Sequence, residues 1–214
     1  MIKLQAETAS YQGTRALHDI NLHIKEGERL ALIGQSGSGK STLIKLIYDR
    51  YPVGTALVPQ DYGLVQNLSV YHNTYIGRLD QYSTLYNLVN LIRPWPDKVE
   101  KVRSILSGLQ LEEYIFRPVG QLSGGQKQRV AVARSLFQKG HLLLADEPVS
   151  SVDEQQSRVV LKQLLSGFST IVLALHDIQL ALAFCDRIIG LEKGRIVLDS
   201  PSSKLKTQDL LSLY

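Results

Sequence analysis

Gly34-Gln35-Ser36-Gly37-Ser38-Gly39-Lys40-Ser41 lies between a short apolar run, Leu30-Ala31-Leu32-Ile33, and a segment, Ser41 to Tyr48, that carries Leu43, Ile44, Leu46 and Ile47. It fits G-x-x-x-x-G-K-[ST] at every fixed position, and its flanks predict strand, loop and helix in that order. Each residue type has a chemical reason. Glycines let the backbone turn so that its N–H groups converge on an anion. The helix that follows adds the positive end of its dipole. Lys40 is expected to reach the β- and γ-phosphates of a nucleoside triphosphate, and Ser41 to place its hydroxyl on Mg²⁺. Thr42 completes the set of residues expected to line the nucleotide, with Gly34, Gln35, Ser36, Gly37, Ser38 and Gly39.

A second stretch supplies the acid. Leu142-Leu143-Leu144-Ala145 is apolar enough for a strand buried on both faces, and Asp146 follows at its C-terminal end, where ligands bind in open α/β sheets. Asp146 is expected to hold Mg²⁺ through its carboxylate. Glu147, next in the chain, is placed to polarise an attacking water as general base.

The remaining pattern sets the architecture. Leu17, Ile20, Leu22 and Ile24 read as strand before a turn at Glu26-Gly27-Glu28. Residues 63 to about 121 read as helical, broken at Pro94-Trp95-Pro96. Within them Val99, Val102, Ile105, Leu106 and Leu109 recur at helical spacing as a core-facing stripe. From Ser123 onward, helix alternates with short apolar strand: Leu142 to Ala145, helix 154 to 165, Thr170 to Leu175, then a further helix and strand. That alternation argues for an α/β core with parallel strands, carrying an inserted helical subdomain.

Composition narrows the function class. A chain of 214 residues has room for one domain with a full core. No apolar run approaches the roughly 18 residues of a membrane span, and the first residues lack a signal-peptide stretch. With a single cysteine, Cys185, expected as buried packing, these features point to the cytoplasm. The net charge of +4 is spread among acids, as in Lys98-Val99-Glu100-Lys101, so no nucleic acid is expected as partner.

Between the loop and the acidic strand stands Leu122-Ser123-Gly124-Gly125-Gln126, opening LSGGQKQRVAVARSL (122–136). With the two nucleotide motifs in this order, the chain resembles the ABC ATPases. The resemblance implies an α/β P-loop NTPase: a RecA-like core with an antiparallel β-subdomain and the inserted α-helical subdomain of ABC ATPases. It implies a single domain over 1–214, with core about 1–62 and 123–199, helical subdomain about 63–122 and a C-terminal tail 200–214. It implies ATP and Mg²⁺ as cofactors, and a homodimer in which Ser123, Gly124, Gly125 and Gln126 close on the nucleotide held by the partner. Gly-Gly opening a helix suits an anion, since no side chain stands in the way.

Single residues follow from the same resemblance. Gln60, after Ala56-Leu57-Val58, is similar to the glutamine that touches Mg²⁺ and the lytic water. Asp153, in Ser150-Ser151-Val152-Asp153, matches the residue that reaches across the dimer. His176, after Ile171 to Leu175, resembles the histidine that senses the γ-phosphate. Tyr11 is placed like the aromatic that stacks on adenine, with Tyr51 and Tyr62 also available for that place. One departure stands out: only 19 residues, 41 to 59, separate Lys40 from Gln60, too few for the β-hairpin the family carries there.

Two tracts, Ala145 to Asp153 and Leu175 to Leu191 (LHDIQLALAFCDRIIGL), are most similar to ATPases of phosphonate importers, as are Tyr75 to Leu79 and Gly194-Arg195-Ile196-Val197. The expected partners are therefore separate transmembrane permease subunits and, for an importer, a substrate-binding protein, with the chain peripheral on the inner face of the cell membrane. The alternative is a non-transport ABC ATPase in a soluble assembly or scaffold complex, which would keep the same nucleotide motifs. Seven of the ten tyrosines lie between Tyr48 and Tyr86, either filling half-exposed helical sites or lining a groove for a permease helix, with Tyr62, Tyr71 and Tyr75 as its expected members.

Overall fold

The computed structural model describes residues 1–11 and 14–213, with the side chains of Tyr11, Thr14 and Arg15 outside that description. The chain runs β1 (Ile2–Tyr11), β2 (Thr14–Ile24), β3 (Arg29–Ile33), α1 (Lys40–Arg50), β4 (Thr55–Val58), α2 (Val70–Tyr75), α3 (Thr84–Ile92), α4 (Pro96–Gly108) and α5 (Gly124–Gln138). It continues with β5 (Leu142–Asp146), α6 (Glu154–Gly167), β6 (Thr170–Ala174), α7 (Ile178–Phe184), β7 (Arg187–Glu192), β8 (Arg195–Pro201) and the short α8 (Thr207–Leu210). By packing it divides into two compact units. One comprises Met1–Gln60, Gly140–Ser150 and Phe168–Tyr214; the other comprises Asp61–Lys139 and Ser151–Gly167.

Among the described residues, every strand lies in the first unit. Its six-stranded sheet has the order β4-β5-β6-β3-β7-β8, parallel throughout except for β8, which turns back against β7. β5 and β6 are buried at every position, as their unbroken apolar sequences require of strands covered on both faces. β8 alternates half-buried and exposed residues, the pattern of an edge strand with one wet face. β1 and β2 form a separate antiparallel pair whose Leu17, Ile20, Leu22 and Ile24 join one core with Leu43, Ile44 and Ile47 of α1. Only residues 51 to 54 join α1 to β4, so the helix leads almost straight into the strand before Gln60 and no hairpin intervenes.

The second unit is helical. α2, α3, α4, α5 and α6 fall within it. In the α4 stripe Val102, Leu106 and Leu109 are fully buried, while Val99 and Ile105 are half-buried at its margin. Buried Asn73 holds the turn before α2: its Nδ2 donates to the carbonyls of Val65 (3.0 Å), Leu68 (3.2 Å) and Ser69 (3.1 Å), and its Oδ1 accepts from Val65 N–H (2.8 Å). A buried amide so saturated costs little and fixes the turn.

The tyrosines correct one expectation. Tyr71 is wholly buried and lines no groove, whereas Tyr75, 3% exposed, forms part of the wall of an apolar cavity of about 320 Å³ with Leu68, Ile76, Leu79 and Leu88. They begin a ladder of stacked rings, Tyr71–Tyr75 (5.9 Å), Tyr75–Tyr82 (6.1 Å), Tyr82–Tyr86 (4.9 Å) and Tyr86–Trp95 (5.3 Å). Their hydroxyls donate to Asn90 Oδ1 (2.7 Å, Tyr71) and Asn87 Oδ1 (2.9 Å, Tyr75), and burial pushes the Tyr71 phenol up to about 12. Aromatic pairs stabilise beyond their area, by about 0.5–1.5 kcal/mol each, and here they add to the buried aliphatic core around Val102, Leu106 and Leu109.

Candidate functional site

Parallel strands place the chemistry. β4, β5, β6 and β3 are consecutive in the sheet and point the same way, so the residues after each strand emerge along one edge: Gln60, then Asp146 and Glu147, then His176, then Gly34. This is the edge at which open α/β sheets bind ligands. A cavity of about 410 Å³ opens there, lined by Ser36, Gly37, Gly39, Lys40, Ser41, Thr42, Gln60 and Glu147, together with Ala16 and Lys45. Ala16 and Lys45 have no counterpart in the sequence reading. A small residue on a strand and a lysine five positions after Lys40 in the helix (ion-paired to Asp49 at 3.1 Å) carry no signal of their own.

Gly39 caps α1 with φ 108°, a backbone that side-chain-bearing residues rarely adopt, so the helix starts directly behind the loop. Lys40 is only 5% exposed. Its ammonium folds back onto the loop's own carbonyls, donating to Gly34 O (2.7 Å) and Gln35 O (3.1 Å). Burial lowers its pKa, and the nearby charges of Glu147 and Asp146 oppose that. The ammonium is therefore held over the loop, ready to exchange carbonyl oxygens for phosphate oxygens. Ser38 Oγ is buried without a partner among the described residues.

Asp146 is 6% exposed, and its Oδ1 has no hydrogen-bond partner among the described residues. Burial raises its pKa; the Ser41 hydroxyl pulls it down, Glu147 pushes it up, and Lys40 and His176 lower it. A buried, half-satisfied carboxylate beside a serine hydroxyl is an incomplete arrangement, which a cation would complete. Among the described residues no group of three or more His, Cys, Asp or Glu could hold a metal.

Glu147 follows with φ 54°, a left-handed backbone that costs roughly 1–3 kcal/mol for a residue of this kind. Its N–H bonds Ala174 O (3.1 Å), and its Oε1 lies 2.7 Å from His176 Nε2. The strained bend and the histidine together fix a carboxylate at the mouth of the cavity. Asp177 steadies the histidine's neighbour by capping α7, accepting from Gln179 N–H (2.7 Å) and Leu180 N–H (3.0 Å).

The other expected residues belong elsewhere. Tyr11 ends β1, but its side chain lies outside the described residues. Ser123, Gly124, Gly125, Gln126 and Asp153 belong to the helical unit. Ser123 and Gln126 form a capping box on α5: Ser123 Oγ accepts from Gln126 N–H (3.3 Å), and Gln126 Oε1 accepts from Ser123 N–H (2.9 Å). Asp153 Oδ1 accepts from Gln156 N–H (2.8 Å) at the start of α6. Both capping roles sit in the S/T/D-x-x-Q spacing and could have been read from it.

The two glycines of the signature differ. Gly124 is exposed, and a Cβ there would meet nothing within 4 Å, whereas a Cβ on Gly125 would lie 2.6 Å from the carbonyl oxygen of Ser151. Gly124→Ala should therefore leave stability unchanged or raise it, and Gly125→Ala should cost about 1–3 kcal/mol, the usual range for overpacking. Urea unfolding of both variants checks this, and equal midpoints would remove the packing role of Gly125.

Comparison with known proteins agrees with this geometry. The family described as ABC transporter matches residues 17–150. A phosphonates import ATP-binding protein PhnC of Maricaulis maris is 33% identical over an alignment of length 249, gaps included, that covers 100% of this chain and 93% of that protein. PhnC 3 of Halalkalibacterium halodurans is 36% identical over 233, covering 94% and 89%. Among solved structures, dimeric MJ0796, a bacterial ABC transporter cassette, superposes with TM-score 0.80 at 27% identity, covering 94% of this chain and 99% of that one. Its post-hydrolysis dimer with ADP and Pi gives 0.78. The chain belongs to the ABC transporter family, as one of its ATPase subunits.

Proposed function

We propose that this chain powers a phosphonate importer, working as a head-to-tail dimer on separate permease subunits at the inner face of the membrane. The observation that carries the reading is the meeting of Lys40, Ser41, Gln60 and Glu147 around one cavity, with Glu147 Oε1 2.7 Å from His176 Nε2. The PhnC names of its relatives support phosphonate as cargo. Among the described residues no helix is long and apolar enough to cross a membrane. A substrate-binding protein would deliver the cargo.

The residues divide the work. Loop N–H groups and Lys40 bind the triphosphate, with Gly34 to Thr42 around it, and Tyr11 stacks on the adenine. Asp146, Ser41 and Gln60 are the residues that would hold Mg²⁺, which would supply positive charge to the phosphates when bound. Glu147 accepts a proton from the attacking water, while His176 orients the carboxylate and senses the γ-phosphate. Ser123, Gly124, Gly125 and Gln126 of the partner cap that phosphate, and Asp153 reaches across the dimer. Because an ammonium and a backbone anion site meet the γ-phosphate from two protomers, its loss on hydrolysis weakens the dimer and lets it open.

The test is ATP turnover against protein concentration, alone and with the cognate permease and binding protein in liposomes. Turnover should rise more steeply than linearly with concentration and should increase when a phosphonate is added outside. Linear turnover removes the dimer, and turnover indifferent to phosphonate but raised by another cargo removes only the substrate assignment. Copurification with a soluble assembly partner instead of a permease would favour the scaffold alternative.

A further inference from the structure

Directly after Gln60, the backbone of the helical unit bends through two consecutive left-handed residues, Tyr62 (φ 63°) and Gly63 (φ 54°). A tyrosine does not adopt that conformation without support. The support is Arg134, on α5 beyond the signature residues. Its guanidinium donates through Nη2 to Tyr62 O and through Nη1 to Gly63 O, both at 2.6 Å. A rigid two-pronged donor fixes both carbonyls at once, which a lysine could not do.

The bend directs the tyrosine. Its hydroxyl lies 2.8 Å from the Oγ of Ser151, within Ser150-Ser151-Val152-Asp153. The same serine is held a second time, since its N–H donates to Oε1 of the fully buried Gln128 on α5 (3.0 Å), and its carbonyl lies against Gly125. Ser151 is thus gripped from α5 and from the segment after Gln60, two residues before Asp153. Within one compact unit, α5, the segment after Gln60 and the loop before Asp153 are joined through Arg134, Tyr62, Gln128 and Ser151.

We propose that Tyr62 is a positioning residue: through Ser151 it sets the loop that carries Asp153, so that the segment after Gln60 and that loop move together. This rests on the reading of Gln60 and Asp153 as parts of ATP sites completed in a dimer. Tyr62 is not among the residues that line the nucleotide cavity. Its effect on turnover passes through the loop, and the link requires the two hydroxyls of Tyr62 and Ser151.

The experiment uses Tyr62→Phe, Ser151→Ala and the double variant. Hydrogen exchange of residues 149–155 in the nucleotide-free protein reads the link directly, and it does not depend on dimer formation. Each single variant should speed exchange there about fivefold, the scale of one net hydrogen bond, and the double variant should add little more. The same substitutions in a Glu147→Gln background, with ATP, should weaken the dimer about fivefold by sedimentation while the affinity for a fluorescent ATP analogue stays the same. A merely structural tyrosine would lower the melting temperature without moving the dimer constant. Unchanged exchange, additive single effects, or faster exchange with an unaltered dimer constant would each overturn the proposal. If Glu147→Gln alone forms no ATP-dependent dimer, the dimer reading falls, and with it the positioning role, while the exchange data still decide whether the link exists.

Discussion

Glu147→Gln should bind ATP as tightly as the parent chain and hydrolyse it about 10²–10⁴-fold more slowly, the usual span for losing a positioned general base. The substitution keeps the size of the side chain and its bond to His176 Nε2, now through an amide, so the bend at φ 54° and the cavity are preserved. What is lost is the proton acceptor. Bound ATP then persists, and a dimer should accumulate on size exclusion in ATP that the parent chain shows only transiently. Hydrolysis within a few-fold of normal would take the base role from Glu147. His176→Ala provides the complement: it should slow turnover less, because the carboxylate remains and only its orientation is freed.

Asp146→Asn should have opposite effects on stability and on activity. The carboxyl of Asp146 titrates above its ordinary range in the folded chain because it is buried, so the folded chain holds that proton more tightly than the unfolded one. Stability therefore falls as pH rises from the ordinary carboxylate pKa through the raised one, and at neutral pH the ionised group is a net cost. Removing the charge should raise the melting temperature of the nucleotide-free, Mg²⁺-free protein at pH 7, by about 2–4 °C for each ~1 kcal/mol relieved in a chain of this size. The gain should vanish below the ordinary carboxylate range, where the aspartate is already neutral. In the same variant, Mg²⁺-dependent hydrolysis should fall on the order of 10²–10³-fold, the scale for losing one charge-stabilising group. A melting temperature at pH 7 that is unchanged or lower would show that burial of this charge is not the dominant strain in the site.

Much of the fold and of the site is legible in the amino-acid sequence, and the reason is physical. The loop, the acidic strand and the signature each need fixed residue types at fixed spacing, so backbone chemistry writes itself into the sequence. Apolar runs such as Thr170 to Leu175 announce strands covered on both faces, and the short gap from Lys40 to Gln60 announces a helix leading straight into β4. Side chains that act by packing leave no such trace. Tyr71 and Tyr75 read as half-exposed or groove-lining aromatics, because nothing local says that rings from separate helical segments will stack. The capping of α5 and α6 is visible in the spacing but hidden behind the nucleotide reading of the same residues. Arg134 and Tyr62 are invisible as a pair, since a guanidinium finds carbonyls by geometry, which no spacing rule encodes.

The ring ladder also gives the molecule an optical handle. Trp95 is the only tryptophan in the chain; it ends the ladder, and its indole N–H is buried without a partner among the described residues. Light absorbed by Tyr82 or Tyr86 can pass to it, so its emission reports on the helical unit. The phosphate loop belongs to the other unit. A melt followed by tryptophan emission and one followed by release of a fluorescent nucleotide would thus track the two halves by different colours of light, without a label on the protein. Coincident curves would mean that the halves melt as one cooperative body. Separated curves would identify which half gives way first.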